Sequence, residues 1–244
     1  MEFTFGIITT MEKQTHETDN QHYVYDIIDS IEKNNIPKDK YEIIIVGGPN
    51  YYQDYENVNH IEFDDVTTPR WITKKKNLIT EHAKFENIVF SHDYIQYDKN
   101  WYKGFLKFGN DWDLCMCIHK AYEGHRFRDW LVWDDPDLCY NVDGYDHRIA
   151  LPPYDYDKTN YMQISGFWWV AKKYVMEKDP LDENLKWGDA EDVEWSFQVR
   201  DKYKYVMNTN SVVEVLRPNK KLSAYYVEGE EKYTTPGWEK NIND

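Results

Sequence analysis

Three groups of residues in this chain have the types and spacing that chemistry needs. The first is Ser91-His92-Asp93, which follows the short apolar run Asn87-Ile88-Val89-Phe90. A partly β-branched run too short for a helix suits a strand buried on both faces, so these polar groups should emerge at its carboxyl end. In open α/β sheets that edge is where ligands bind, and Asp93 there could hold a divalent cation. It could equally cap the backbone of a polar turn. The second group is Glu191-Asp192, set with Asp189 at the expected start of a helix. At a helix start these carboxylates suit the helix dipole even if they do nothing else. The third is Lys74-Lys75-Lys76-Asn77, three consecutive lysines in a chain of formal net charge −15. They read either as a solvated helix face or as a place where phosphate charge is met.

The elements that must position these groups alternate along the chain. Phe3 to Ile8 is a first strand ending in Thr9-Thr10. Val24, Ile27, Ile28 and Ile31 form the stripe of an amphipathic helix, stopped by Asn34-Asn35-Ile36-Pro37. Glu42 to Val46 is a second buried strand, closed by Gly47-Gly48-Pro49-Asn50. This strand–helix–strand unit implies parallel pairing with a right-handed crossover. A third strand is expected around Asn59 to Phe63, a helix over Arg70 to Lys84, the Asn87 strand, a short helix over Trp101 to Phe108, and a strand over Asp113 to Ile118. Tyr122 to Pro153 has no clean period and reads as a long functional loop. An apolar strand over Ile164 to Ala171 follows, then the Glu191 helix with Ala190, Val193 and Phe197 on its buried face. Tyr205 to Met207 and Val212 to Leu216 are read as two final strands, with an unassigned tail from Pro218.

With 244 residues, 41% hydrophobic and 17% aromatic content and no linker-like stretch, a single domain is expected. Ten Trp and 21 Tyr exceed what one core uses, so some should line a cleft. The acidic charge argues against bare nucleic acid and anionic membranes as partners. No secretory signal or membrane span is visible, which leads us to expect a soluble, cytoplasmic protein. Cys115, Cys117 and Cys139 lack metal-site spacing and read as reduced structural residues.

Taken in order, the Phe3 strand, the Glu42 strand with its polar turn, the basic helix ending Lys-Lys-Asn, the strand ending Ser-His-Asp, the Gly166-Phe167-Trp168 strand and the Glu191-Asp192 helix start resemble the GT-A glycosyltransferases, over roughly Phe3 to Arg200. The resemblance is greatest to the small inverting, nucleotide-sugar-dependent members. It implies an α/β fold of GT-A, Rossmann-like type, with a mixed, mostly parallel central sheet flanked by helices. Residues 1–118 would form the nucleotide-sugar half, 119–217 the acceptor half and 218–244 a C-terminal tail. The activity implied is transfer of a hexosyl or pentosyl group from a nucleotide-diphosphate sugar, UDP- or GDP-linked, to a hydroxyl of a glycan or other acceptor, with inversion.

What the family holds at each place is carried over residue by residue. Its Asp-x-Asp element binds Mn²⁺ or Mg²⁺ against the donor diphosphate; here Asp93 is the expected metal ligand, Ser91 replaces the first carboxylate, and His92 lies between. Its Glu-Asp pair places Asp192 as general base, with Glu191 next. Thr9, Thr10 and the following Met11-Glu12 stand where the nucleobase and ribose are received, and Gly47 where relatives carry an acidic residue. Lys76 and Asn77 are expected near the donor phosphates, and Trp168 on a sugar-stacking face. A C-terminal metal ligand has only Glu214 as a candidate. A non-catalytic carbohydrate-binding module of the same fold is an alternative, kept alive by Ser91. A sugar nucleotidyltransferase ranks lower, because Thr9 to Gln14 lacks a glycine-rich basic phosphate loop.

Overall fold

A computed structural model describes residues 1–10, 23–50, 55–122, 124–139 and 149–216. Met11, Glu12, Glu123, the middle of the Tyr122–Pro153 segment and the tail from residue 217 lie outside them. In chain order the elements are β1 (Phe3–Ile8), α1 (Val24–Glu32), β2 (Tyr41–Val46), β3 (Val58–Ile61), α2 (Ile72–His82), β4 (Asn87–His92), β5 (Ile95–Tyr97), α3 (Trp101–Phe108) and β6 (Leu114–Lys120). They continue with β7 (Leu131–Trp133), β8 (Ile149–Ala150), β9 (Met162–Gln163), β10 (Trp168–Lys172), α4 (Lys173–Lys178), α5 (Glu191–Val199) and β11 (Tyr205–Val215).

The eight-stranded sheet has the order β3-β2-β1-β4-β10-β6-β11-β5. Its first four strands are parallel, as their runs of Ile, Val and Phe demand: Phe3 pairs with Tyr41 on one side and Asn87 on the other, and every residue of β1 is buried. β10 runs antiparallel between β4 and β6, with Trp168 opposite Ser91 and Trp169 opposite Phe90. Trp169 stacks on Phe90 at 4.8 Å between ring centroids, and Trp195 of α5 lies 5.9 Å beyond it. On the other side of the sheet, Trp101 of α3 meets Phe3, Phe5, Tyr97 and Phe105 within 4.5–5.3 Å. Aromatic edge and tilted contacts of this kind anchor each helix to the sheet.

Several elements differ from the sequence reading. β11 is one strand, with a register shift between Asn208 and Val212 where two strands were expected. The polar run breaks the apolar pattern, but Asn208 is itself buried and its side-chain amide donates to Ser211 Oγ at 3.0 Å. The Tyr122–Pro153 segment contains β7 and β8, which with β9 form a small antiparallel sheet. The buried face of α5 is Glu191, Val193, Trp195, Ser196 and Val199, and Phe197 is exposed. Val193 was read correctly, whereas Trp195 supplies the large apolar contact that Phe197 was expected to make. β5 and α4 are too short to carry a period.

Gly104 sits inside α3, where a glycine costs stability relative to alanine. It is required there because a Cβ would lie 2.2 Å from the carbonyl oxygen of Asn210 in β11. Gly104→Ala is therefore expected to destabilise the chain by about 1–3 kcal/mol, an overpacking cost read as a lowered Tm in calorimetry. An unchanged Tm would refute this close approach of α3 and β11.

Candidate active site at the carboxyl edge of the sheet

The carboxyl ends of β1, β2 and β4 converge on α2. β1 ends at Ile8, and the amide of Thr9 continues its pairing by donating to Val46 O at 3.1 Å. β2 ends at Val46 and turns at Gly47, whose φ of +86° belongs to the left-handed region that glycine occupies at least cost. A Cβ on Gly47 would also lie 2.5 Å from Thr9 O and 2.6 Å from Lys75 Nζ. The turn is thus tied to both neighbours. β4 ends at His92, and half-buried Asp93 opens the turn into β5, its Oδ2 accepting from Thr9 Oγ1 at 2.7 Å.

Beneath this edge lies an ion pair that the sequence did not announce. Lys75 Nζ is 2.6 Å from Asp65 Oδ1, with 1% and 3% of their side chains exposed, and it donates to Thr9 O. Burial pushes the Lys75 ammonium below its ordinary pKa, while Asp65 and then Asp93 oppose that shift. Charges this deep are tolerated only when partnered, and the partners here are the strand-end backbone and two carboxylates. The glycine pair at the end of β2 was the sequence signal for a close approach; nothing in the pattern said that a lysine makes it.

The second group forms across β10. Gly166 precedes that strand, and its amide donates to Asp192 Oδ2 at 2.9 Å. Its carbonyl accepts from Lys76 Nζ at 2.8 Å. One residue on, Phe167 O accepts the amide of His92 at 2.9 Å. Asp192 is half-buried at the start of α5, with Oδ1 accepting the amide of Val193 at 3.0 Å, whereas Glu191 is buried. Burial raises the Glu191 carboxyl above its ordinary pKa; Lys76 pulls it down, and Asp192 and Asp189 push it further up. The helix enters through Ala190, which adopts a left-handed conformation at φ 58°.

The remaining expected residues are placed as follows. Thr10 is half-buried beyond β1. Ser91 is buried, its hydroxyl donating to His92 O at 3.0 Å, and the half-buried His92 ring meets Tyr94 edge-on at 5.4 Å. Asn77 is committed to structure, donating to Leu181 O at 2.9 Å and Glu183 Oε1 at 3.0 Å and accepting the Leu181 amide. Trp168 and Trp169 are both fully buried, so neither turns a stacking face outward; the Trp168 ring packs against His119 at 5.1 Å. Among the described residues the exposed indole is that of Trp187, just before α5, whose ring lies 5.1 Å from the Arg70 guanidinium. Glu214 is exposed on β11 opposite Gln96. The strand's continuation reaches the Asp93 turn, where the Leu216 amide donates to Tyr94 O at 2.8 Å.

No family model matches the sequence, and none of the curated proteins compared with it does. Solved structures do match its fold. A 1–349 fragment of S. aureus TarS superposes with a TM-score of 0.61 at 14% identity, covering 88% of this chain and 60% of the fragment. GalNAc-T7, solved with UDP, GalNAc and Mn²⁺, gives 0.60 at 11% identity, covering 94% of this chain and 44% of that one. The Pyrobaculum calidifontis mannosyltransferase PcManGT, solved with GDP-Man and Mn²⁺, gives 0.56 at 13% identity, covering 90% and 58%. The chain thus spans about 60% or less of the length of these proteins. At such identities the likeness is one of architecture, and the chain has the GT-A fold that its sequence resembles.

Lys75→Met would leave Asp65 buried without its cation and is expected to cost about 3–5 kcal/mol in urea unfolding. Adding Asp65→Leu should return much of that loss. A single variant as stable as the parent would show that the pair does not hold the strand ends.

Proposed function

We propose that the chain is a nucleotide-sugar-dependent glycosyltransferase that moves a sugar to an acceptor hydroxyl by direct displacement, with inversion and with assistance from a divalent cation. One observation carries the reading: the strand-end carboxylate Asp93 and the helix-start carboxylate Asp192 flank a single short backbone segment. His92 donates to Phe167 O, and the neighbouring Gly166 donates to Asp192. The residue before Asp93, the proposed donor-side carboxylate, and Asp192, the proposed base, are thus held by the adjacent residues Phe167 and Gly166 ahead of β10. The fold likeness supports this reading, since TarS has been solved with UDP-GlcNAc, GalNAc-T7 with UDP and Mn²⁺, and PcManGT with GDP-Man and Mn²⁺.

The donor set at the strand edge fits an oxygen-preferring cation. Asp93 offers a half-buried carboxylate bridged to the Thr9 hydroxyl, both hard oxygen donors. Among the described residues no three His, Cys, Asp or Glu side chains gather into a metal-holding group. Asp93 would therefore hold Mn²⁺ or Mg²⁺ jointly with the donor's own phosphate oxygens and water. When bound, the cation neutralises charge that develops on the departing nucleoside diphosphate. Thr9 holds Asp93 in place, and Lys75 holds Thr9 through its carbonyl.

Asp192 is the better placed of the two helix-start carboxylates to act as base. It is half-buried and so within reach of an acceptor, whereas Glu191 is buried. The Gly166 amide points the Asp192 carboxylate, which would take the hydroxyl proton as that oxygen attacks the anomeric carbon. The exposed Trp187, immediately before this helix, offers an aromatic face of the kind that sugars stack on.

Calorimetry across UDP- and GDP-sugars, with and without Mn²⁺, should find a donor whose affinity rises with the metal, and Asp93→Ala should remove that rise. Binding that ignores Mn²⁺ and survives Asp93→Ala would sink the metal assignment. Asp192→Asn should leave donor affinity intact and lower nucleotide release by roughly 10²–10⁴-fold, the usual contribution of a positioned base. Full turnover in that variant would exclude Asp192 as the base.

A further inference from the structure

Lys76 does something that its place in the chain does not suggest. It is 1% exposed, with its ammonium 4.5 Å from the centroid of the Trp169 indole and its hydrogen bond given to Gly166 O at 2.8 Å. Gly166 is the residue whose amide points Asp192. There is no slack in this contact, since a Cβ on Gly166 would lie 2.8 Å from Asp192 Oδ2. We propose that Lys76 is a positioning residue for the general base: by gripping the Gly166 carbonyl it sets the amide on which Asp192 rests, with its own charge lodged beside the buried Glu191. This deepens the transferase reading and rests on it for the role of Asp192.

The charges around the pair agree with the geometry. Lys76, from α2, is the cation acting on Glu191 and Asp192, while Asp189, from the preceding loop, acts in the opposite sense on Glu191. Burial pushes the Lys76 ammonium down, and both carboxylates act to restore its charge. A lysine spent on a phosphate would have to present its ammonium to solvent in the free protein. This one is packed under an indole and given to a backbone oxygen.

Removing the charge has a definite sign. Without Lys76 the Glu191 carboxyl holds its proton to higher pH, so its charge beside the base is lost over a wider acidic range. Lys76→Met and the polar Lys76→Gln would be compared with the parent and with Lys76→Arg, circular dichroism establishing which variants fold. The probe is whichever nucleotide sugar binds the parent, with nucleotide release followed from pH 5 to pH 9. The expected result is an unchanged donor Kd, with a kcat lowered by up to about tenfold on the acid side for each unit by which the acid limb moves up. The deficit should close as pH rises, and Lys76→Arg should recover part of it. A weakened donor Kd with a loss that is the same at every pH would instead make Lys76 a phosphate contact. An unaltered profile would leave it a structural lysine.

A titration that needs no turnover separates this proposal from the transferase reading. The carboxyl-carbon NMR signal of Glu191 should titrate at higher pH in Lys76→Met than in the parent. An unmoved titration overturns the proposal even in an active enzyme. If the shift is present but Asp192→Asn retains full turnover, it is the assignment of the base that fails.

Discussion

A buried lysine must find an acceptor, and α2 carries two of them side by side. Consecutive helical residues point about 100° apart, so Lys74, Lys75 and Lys76 cannot share a partner. Lys74 reaches Glu183 at 3.1 Å, Lys75 reaches Asp65 and the end of β1, and Lys76 reaches Gly166 ahead of β10. Asn77 adds the Leu181 carbonyl. One turn of helix therefore fixes four separate segments, including both backbone stretches on which the candidate carboxylates rest. In a chain of net charge −15, three adjacent cations spent in this way are a concentrated use of a scarce resource.

This arrangement divides the site into two sides with different electrostatics. On the Asp93 side, a lysine and a carboxylate neutralise one another below the edge, and the half-buried Asp93 carboxylate lies above them. On the Asp192 side, two carboxylates share a single neighbouring lysine, and the deeper of them is pushed toward its protonated form by burial. The two roles we propose for these sides would require such a difference, and adjacent residues of one helix produce it.

Much of the architecture was legible because buried parallel strands have a plain signature. Phe3–Ile8, the core of Tyr41–Val46 and Asn87–His92 are apolar runs bounded by polar turns, and α3 was read at its observed bounds of Trp101–Phe108. The errors fall where the period misleads. Phe197 fitted a helical stripe, but α5 leans on the sheet through Trp195 and Val199. The Asn208–Ser211 run looked like a gap between strands because polar residues satisfied inside a sheet cannot be told from a loop by type. At the site, the ordered motifs pointed to Asp93 and Glu191-Asp192. What they rest on was not legible: Thr9 meets Asp93 across 84 positions, and Lys76 meets Gly166 across 90. Lysine burial carries no periodic signal, so the triplet read as solvated or phosphate-facing.

The placement of β10 bears on how the molecule comes into being. Residues 168–172 enter the sheet between β4 and β6, strands that are complete by residue 120. Until that segment has been synthesised, β4 has a neighbour on one edge only, and the two sides of the sheet cannot join. Closure of such a long loop is a slow, late event in folding. The same five residues bring Gly166 and Phe167 against α2 and β4. The edge that would receive a donor can assemble early, from local strand–helix units, but the backbone that orients the base arrives only with the strand that closes the sheet. A nascent or truncated chain that stops short of residue 172 would thus hold the edge that carries Asp93 without the closed sheet that sets the backbone on which Asp192 rests.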